Sequence, residues 1–395
     1  MRVFVIAGEA SGDALGAALL EALKARLPDR LEVMGVGGPL MREQGLESRF
    51  PMAELSVMGL AEILPKYRQL KRRIRETADA AIAAAPDVLI GIDSPDFCLR
   101  VASRVRVARP DQPVVHYVAP SVWAWRPGRA RRMAKVVDHV LALLPFEPPY
   151  MQAAGMSCDF VGHPVVTARP AGPDTAAGFR AAHGISSDAP LVLGLPGSRR
   201  GEIARLAPRF GAALSQVARA HPGLRVVVPT VAASEDVARA RTADWPGAPV
   251  VLTRGGEEKR AAFAAADAAL AASGTVSLEL AAAGVPMVIG YDMAPLTRFL
   301  MARLLRVDTV TLVNLVSETR AVPEFLGREC RAGRMAPALE ALLRDGPERA
   351  AQHAAMARTM ARLGQGGPPP GQRAADSVLG FLGKRRQRAH AAFAT

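Results

Sequence analysis

The stretch AALAASGTVSLELAAAGVPMVIGY, residues 268–291, contains two short apolar runs separated by a helical pattern. The first run, AALAAS, ends in a Ser-Gly-Thr turn. The helical pattern after it stops at Gly284, a common residue at helix ends, just before Pro286. The second run, PMVIGY, is apolar almost throughout, as is typical of a strand buried on both faces. The stretch therefore predicts a strand–helix–strand unit of a parallel sheet.

The same alternation of strand and helix patterns extends over most of the chain. Strands are predicted in two groups, first RVFVIAG, LEVMGV, DVLIGID, PVVHYV and HVLALLP, then PLVLGL, LRVVVPT, APVVLT, AALAAS and PMVIGY. The breakers RPAGPD (169–174) and GQGGPPPG (364–371) divide the pattern. We expect an α/β protein with two Rossmann-like, doubly wound domains, 1–168 and 175–363, and a C-terminal helix and tail, 372–395. Because ligands bind at the carboxyl ends of such strands, we expect both domains to face an interdomain cleft.

Composition limits the classes of protein to which the chain can belong. Half of its 395 residues are hydrophobic, enough for sizeable cores, and no run of 18 apolar residues predicts a membrane-spanning helix. The start, MRVFVIAGEA, is interpreted as a first strand and not as a secretory signal. Cys98, Cys158 and Cys330 are far apart and odd in number, which fits a reducing cytoplasm. No histidine, CxxC or DxD spacing supports a metal site, and no cofactor is predicted.

The formal net charge of +13 suggests an anionic partner. Nucleic acid, an anionic membrane surface and phosphorylated substrates would all fit, and the alternative is an arginine-rich composition without functional meaning. Specific binding of nucleic acid is not expected, because aromatic residues make up only 5% of the chain and no stripe of basic and aromatic residues occurs.

Two turns in the second predicted domain have the composition of a phosphate site. Ser273, Gly274 and Thr275 precede a helix, where free backbone N–H groups attract phosphate oxygens. Glu279 lies four residues after Thr275 on the same helix face and could accept hydrogen bonds from ribose hydroxyls. The alternative is a capped helix with an exposed glutamate.

The second turn lies in LGLPGSRRGEI (194–203), where Gly197 and Ser198 allow close backbone approach and Arg199 can pair with a phosphate. The alternative here is an ordinary loop with solvated arginines. Two such turns in one domain favour a diphosphate ligand.

In the first domain, Asp93 follows an apolar strand in GIDSPDF (91–97). Apolar surroundings could raise the pKa of its carboxyl group and allow it to act as a general base. The alternative is an N-cap of the next helix. Two further loops are predicted to contact a sugar, hydroxyl or acyl group: GEASGD (8–13) and the loop in HYVAPSVWAWRPGR (116–129), for which the alternative is a packed loop corner. Their candidate residues are Glu9, Ser11, Gly12, Asp13, Ser121, Trp123 and Trp125.

The segment 55–75, LSVMGLAEILPKYRQLKRRIR, mixes apolar and basic residues. Such a pattern suits an anionic membrane interface, with a core helix as the alternative. The residues predicted to dock are Val57, Met58, Leu60, Ile63, Leu64, Lys66, Arg68, Lys71 and Arg72.

Taken together, these motifs resemble the lipid-A-disaccharide synthase family. The matches run in order from residue 7 to about residue 315: AGEASGD, VMGLAEIL, PDVLIGIDSPDF, HYVAPSVWAWRPGR, LALLPFE, FVGHP, LPGSRRGEI, SGTVSLELAAAGVPMVIGY and VNL. Each motif alone is weak, but the ordered set is specific.

The resemblance implies an inverting glycosyltransferase of the GT-B type, whose last helix returns to the first domain. The expected reaction transfers 2,3-diacylglucosamine from its UDP conjugate to 2,3-diacylglucosamine 1-phosphate (lipid X) and forms a β-1,6 disaccharide and UDP in lipid A synthesis. The enzyme would need no metal and would act as a monomer or homodimer, attached peripherally to the cytoplasmic face of the inner membrane.

By position, the resemblance makes Asp93 the base, Arg199 the partner of the leaving diphosphate, and the residues around Ser273 the UDP site. Asn314 falls in the family's donor-side Pro-Asn motif. Two departures affect this region: Val313 replaces the usual proline, and Gly327 the usual glutamine. The competing interpretation is another enzyme on the same fold, such as a UDP-N-acetylglucosamine 2-epimerase or a glycosyltransferase with a soluble acceptor. An epimerase should not need the basic apolar segment.

Overall fold

The computed structural model describes residues 1–28, 30–55, 60–253, 255–293 and 307–393, with side chains at 60–66, 389–390 and 392–393 outside the description. The chain forms two compact units. Met1–Pro164 with Gly366–Thr395 form the first, and Val165–Gln365 form the second.

The first unit is built on a parallel sheet of seven strands in the order β3-β2-β1-β4-β5-β6-β7. Its elements up to residue 160 are β1 Arg2–Ala7, α1 Ala10–Arg26, β2 Glu32–Val36, α2 Pro39–Glu43, β3 Glu47–Ser48, a 3₁₀ turn Met52–Glu54, α3 Leu60–Ala84, β4 Val88–Ile92, α4 Pro95–Ala108, β5 Val114–Tyr117, α5 Gly128–Met133, β6 His139–Ala142, α6 Pro148–Gln152 and β7 Ser157–Phe160.

The central strand β1 packs closely against both of its neighbours, which requires small or apolar residues at the paired positions. Val5 pairs with Gly35 of β2 on one side and with Ile90 of β4 on the other. Gly35 has φ +137°, and a side chain there would place its Cβ 1.8 Å from the Val5 carbonyl oxygen. Every residue of β4 is buried, as the continuous apolar run predicts.

The second unit contains a parallel sheet of six strands in the order β10-β9-β8-β11-β12-β13. A 3₁₀ turn, Pro164–Thr167, lies at the boundary between the units. The described elements of the second unit as far as β11 are α7 Pro173–Ala182, β8 Leu191–Leu195, α8 Arg200–Ala220, β9 Arg225–Pro229, a 3₁₀ turn Ala232–Ser234, α9 Glu235–Thr242, β10 Val250–Leu252, α10 Glu257–Ala265 and β11 Ala268–Ala271. They are followed by α11 Val276–Ala282, β12 Met287–Tyr291, α12 Leu312–Ser317, β13 Glu324–Leu326, a 3₁₀ turn Gly327–Glu329, α13 Ala332–Leu342 and α14 Pro347–Arg362.

Both sheets have a point where the strand order reverses, between β1 and β4 in the first and between β8 and β11 in the second. In doubly wound sheets the loops after two such strands diverge and leave a crevice that binds ligands. These are the loops that carry Glu9, Asp93, Arg199 and Ser273. The prediction of two parallel, doubly wound sheets is confirmed, and this arrangement of strands positions the candidate site residues.

The last helix, α15 Pro370–Phe393, belongs to the first unit. Its Val378 and Leu382 are buried in one cluster with Val3 and Val5 of β1. Polar contacts accompany this packing, including one of 2.8 Å between Nη2 of Arg26 and an Asp376 carboxylate oxygen. No helix among the described residues has the length and apolar run that crossing a membrane requires.

Candidate active site

A cavity of about 630 Å³ lies at the reversal point of the second sheet. The loops after β8, β9, β10 and β11 form its walls. Seven residues predicted to bind nucleotide line it together: Gly197, Ser198, Arg199, Ser273, Gly274, Thr275 and Glu279. Two motifs separated by about 75 residues of sequence therefore form one pocket, as the prediction of a shared phosphate site requires.

The turn after β8 depends on glycine. Gly197 has φ +115°, and a Cβ at this position would lie 2.8 Å from the Cβ of Glu202. Arg199 is the N-cap residue of α8, and its Nη1 donates to Oε1 of Glu202 at 3.1 Å. The Arg199 side chain is 60% exposed and lines the cavity. The contact with Glu202 therefore orients the Arg199 guanidinium group.

The turn after β11 is arranged around Gly274, which has φ +151°. Ser277 Oγ donates to the Gly274 carbonyl oxygen at 2.9 Å, and Ser273 Oγ donates to the Val310 carbonyl oxygen at 3.3 Å. Thr275 is the N-cap residue of α11, but its side chain makes no capping hydrogen bond. Thr275 lines the cavity, and its side chain does not cap the helix as the alternative interpretation would require.

Sequence reasoning missed two charged residues that line this pocket, Lys259 and Glu202. Lys259, on α10, lines the cavity and forms an ion pair with Glu279. In the sequence it stands in GGEEKRAAF, which has the composition of a solvated helix start. Only the fold brings it next to Glu279, so no local signal could have identified it.

Asn314 is buried, and its side chain is occupied by the protein itself. Its Nδ2 donates to the Val322 carbonyl oxygen at 2.8 Å and to Glu324 Oε1 at 3.1 Å, while its Oδ1 accepts from the Val322 N–H at 3.0 Å. It is not among the residues that line the cavity. We therefore correct its expected donor contact to a supporting role in the loop between α12 and β13.

Asp93 lies at the carboxyl end of β4 in a left-handed conformation, φ +50°, and Ser94 follows at φ +40°. The Asp93 N–H donates to the Tyr117 carbonyl oxygen at 2.9 Å, which fixes the turn. Ser94 is the N-cap residue of α4, so the interpretation of Asp93 as the helix cap is wrong. Within the described part of the chain, the half-buried Asp93 carboxylate has no hydrogen-bond or ion-pair partner. Strained backbone of this kind is concentrated at functional sites.

The loop after β1 lies beside this turn, because a Cβ added at Gly8 would fall 2.4 Å from Ser94 Oγ. Glu9 is the half-buried N-cap residue of α1, and Ser11 is exposed. Gly12 is buried, and a Cβ there would lie 3.3 Å from the Ile92 carbonyl oxygen, so it allows α1 to pack closely on β4.

Asp13 requires a correction, because it is buried and its carboxylate is fully used. Its oxygens accept the backbone N–H groups of Gly38 at 2.8 Å, Leu40 at 3.0 Å and Met41 at 3.0 Å. These bonds satisfy the first turn of α2, where a negative charge is also favoured by the helix dipole. Asp13 therefore supports the fold and is not available to an acceptor.

The tryptophan loop after β5 has one buried and one accessible ring. Trp123 is 9% exposed, packs edge-on against Phe146 at 5.2 Å between ring centroids, and donates from Nε1 to Glu147 Oε1 at 3.3 Å. It matches the packed loop corner that was the alternative interpretation. Trp125 is half-buried under the Arg126 guanidinium group, and Ser121 is exposed. Of the three residues predicted in this loop, Trp125 and Ser121 have surface that a ligand can contact.

The buried carboxyl group of Glu147 should make the stability of the protein depend on pH. Burial raises the pKa of its carboxyl group to about 7, although Trp123 and the Leu144 N–H donate to it. The folded protein thus retains a proton that the unfolded chain loses near pH 4.5, so this group's contribution to stability falls as the pH rises to about 7. Because of this group, the free energy of unfolding of the wild type should fall by about 3 kcal/mol between pH 5 and pH 8, and we expect Glu147→Gln to abolish that fall.

Urea unfolding followed by tryptophan fluorescence across this pH range measures the effect. Burial lowers the pKa of His116 and of His163 to about 4, which gives the opposite slope, but both proteins share it and it cancels in the difference. Parallel pH profiles of the two proteins would contradict the prediction.

The predicted docking segment is described only in part. Val57 and Met58 lie outside the described residues, as do the side chains of Leu60, Ile63, Leu64 and Lys66. From Leu60 the backbone is helical in α3. Arg68, Lys71 and Arg72 are exposed, whereas Leu70 and Ile74 of the same helix pack on the core. In the part of the chain with described side chains, no group of three or more His, Cys, Asp or Glu residues could hold a metal ion.

Two parallel, doubly wound sheets, with a cavity at the reversal point of the second, form a fold of the GT-B type. A family model described as lipid-A-disaccharide synthetase matches residues 3–367. The lipid-A-disaccharide synthase of Ruegeria pomeroyi is 61% identical, over 97% of this chain and 96% of that protein. The enzyme of Rhodospirillum centenum is 48% identical, over 98% and 96%. The chain belongs to the lipid-A-disaccharide synthase family, and membership implies a UDP-sugar donor and a lipid acceptor.

Solved structures with much lower identity show the fold alone. The UDP-GlcNAc 2-epimerase of Neisseria meningitidis, bound to UDP-GlcNAc, aligns with a TM-score of 0.64 at 11% identity, over 97% of this chain and 100% of that one. The calicheamicin glycosyltransferase CalG4 aligns with a TM-score of 0.52 at 18% identity, over 97% and 98%.

Proposed function

We propose that the chain transfers 2,3-diacylglucosamine from UDP-2,3-diacylglucosamine to 2,3-diacylglucosamine 1-phosphate, forming the β-1,6-linked disaccharide 1-phosphate and UDP. The observation that carries this proposal is the single cavity that unites the Gly197–Arg199 turn with the Ser273–Glu279 turn in a chain that matches the family over its length. Glycine turns and an arginine suit a diphosphate, and a carboxylate suits the hydroxyls of a ribose.

The proposed step is a displacement with inversion. The 6-hydroxyl oxygen of the acceptor forms a bond to the anomeric carbon of the donor, and the bond from that carbon to the β-phosphate oxygen breaks. The hydroxyl proton goes to the Asp93 carboxylate, and the electron pair of the broken bond leaves with UDP. Arg199 stabilises the charge that develops on the diphosphate.

The roles proposed for the first unit follow from its accessible groups. The Asp93 carboxylate has no partner among the described residues, and Glu9, Ser121 and Trp125 follow β1 and β5, the two neighbours of β4. These three residues are proposed to contact the acceptor. Since each chain carries both the cavity and Asp93, a monomer or a homodimer would be active.

Product analysis tests the proposal against epimerisation, the reaction named for several proteins of similar fold. Purified protein is incubated with both diacylated substrates, and UDP release and lipid mass are followed. We expect UDP release that depends on the acceptor, together with a disaccharide monophosphate. A product isomer formed from UDP-GlcNAc without any acceptor would overturn the proposal.

We further propose that the protein attaches peripherally to the cytoplasmic face of the inner membrane through the segment 57–72. The exposed Arg68 and Lys71 support this, as does Tyr67, whose side chain is 46% exposed beside Lys71. Each basic residue near an anionic surface contributes about 1 kcal/mol of binding.

Replacing both Arg68 and Lys71 with glutamine is expected to weaken binding to vesicles containing anionic lipid about 25-fold. Flotation at low salt measures the partition. The matched control replaces the exposed Arg219 and Arg241 of the second unit with glutamine, which removes the same charge. Equal losses in the two variants would show that net charge, and not this segment, drives attachment.

A further inference from the structure

An ion pair between Lys259 and Glu279 lies on the wall of the nucleotide cavity. We propose that Lys259 is a positioning residue, which holds the Glu279 carboxylate in the orientation that accepts the hydroxyls of the nucleotide ribose. This inference rests on the nucleotide-binding part of the proposed function, because it takes Glu279 as the ribose contact.

The two side chains belong to different helices, so the tertiary structure and not the local sequence brings them into contact. Lys259 is in the first turn of α10 and Glu279 is in α11, twenty residues further along the chain. The Glu279 side chain is 42% exposed, and within the described part of the chain Lys259 is its one ion-pair partner. Without that partner, a glutamate this exposed would sample several rotamers. The ligand would then have to order the side chain on binding, and the entropic cost would weaken its affinity.

Lys259 is itself held in place. Its ammonium group lies 5.3 Å from the centroid of the Phe263 ring, one turn further along α10. A cation at this distance from an aromatic face is attracted to it, so the lysine approaches Glu279 from a fixed side. The ammonium group contacts Oε2 of Glu279, which leaves Oε1 for a hydroxyl donor.

A direct contact of Lys259 with the diphosphate is the competing role, and nucleotides of different length separate the two. A residue that positions Glu279 for the ribose affects uridine, UMP and UDP by the same factor. A residue that pairs with phosphate affects UDP strongly and uridine not at all. Affinities from calorimetry, or from competition against UDP, give this comparison.

Lys259→Met is expected to weaken uridine, UMP and UDP equally, by about threefold to tenfold, since exposed ion pairs contribute modestly and ligand binding buries this one. In turnover, KM for the donor should rise by the same factor while kcat is unchanged. Lys259→Arg should restore affinity to within about twofold, because it retains the charge. Arg260→Met is the matched control, since Arg260 is the next residue and pairs with Glu257 at 3.9 Å.

A double-mutant cycle with Glu279→Gln makes the inference falsifiable. If Lys259 acts through Glu279, Lys259→Met causes no further loss of affinity in the Glu279→Gln background. Additive losses, or a loss confined to UDP, would overturn the positioning role. UDP binding by the wild type without disaccharide formation would overturn the proposed function and leave this inference standing, whereas no binding of UDP would overturn both.

Discussion

Replacing Asp93 with asparagine is expected to lower kcat by about 10²- to 10⁴-fold, the usual contribution of a general base. Asparagine has the same shape but cannot accept the proton of the acceptor hydroxyl. UDP affinity should stay unchanged, because the nucleotide cavity is formed by residues of the Val165–Gln365 unit and Asp93 belongs to the other unit. Steady-state kinetics and calorimetry with UDP measure the two quantities separately.

Asparagine is also the sharper substitution on structural grounds. Asp93 has φ +50°, a region that asparagine adopts more readily than alanine, so Asp93→Ala would add backbone strain to the chemical defect. Asp96→Asn is the matched control, because Asp96 is in the first turn of α4, with a side chain 90% exposed. Glu9→Gln tests the remaining carboxylate of this edge, since the carboxylate of Asp13 is engaged by backbone N–H groups.

The result could contradict the assignment in two ways. Asp93→Asn with near-normal kcat would mean that Asp93 is not the base, and Glu9 would be the next candidate. Equal loss of turnover and of UDP binding would mean that Asp93 supports the structure.

Replacing Arg199 with alanine is the second change with a large expected effect. We expect kcat/KM to fall by about 10²- to 10³-fold, because the guanidinium group stabilises charge that develops as UDP leaves. Part of the loss should appear in UDP affinity, since Arg199 also pairs with the bound diphosphate. Lysine should restore only part of the activity, because it cannot make a bidentate contact.

Arg200→Ala is the control for this experiment. Arg200 is the adjacent residue, but it forms an exposed ion pair with Asp236 and is not part of the cavity wall. Its removal should leave kcat/KM within about twofold, in line with the small contribution of exposed ion pairs. A similar fall in both variants would indicate that Arg199 supports the start of α8 and has no direct contact with the diphosphate.

The fold was predictable from sequence wherever strands are long and buried. The interior strands, such as β1, β4 and β8, have continuous apolar runs that predict parallel pairing. Three short strands, β3, β7 and β13, were missed. Glu47–Ser48 and Glu324–Leu326 are two and three residues long, and Ser157–Phe160 alternates between exposed and buried positions. They lie at sheet edges, so their sequences carry little of the apolar pattern.

The site was predictable where function depends on the backbone of a turn. Gly197 and Gly274 both adopt positive φ, which glycine favours, and the turns they mark were found. Side-chain roles were less predictable, because a carboxylate such as Asp13 can be consumed by N–H groups that are remote in sequence. Lys259 shows the reverse case, an ordinary surface lysine that tertiary structure brings to the cavity.

The place of α15 has a consequence for how the protein is made. Val3 and Val5 leave the ribosome more than 370 residues before Val378 and Leu382, which pack in the same core. The first unit therefore cannot complete its core until α15 has emerged, whereas Val165–Gln365 is continuous and can fold earlier. Translation that stops before residue 370 would leave exposed the apolar surface on which Val378 and Leu382 pack.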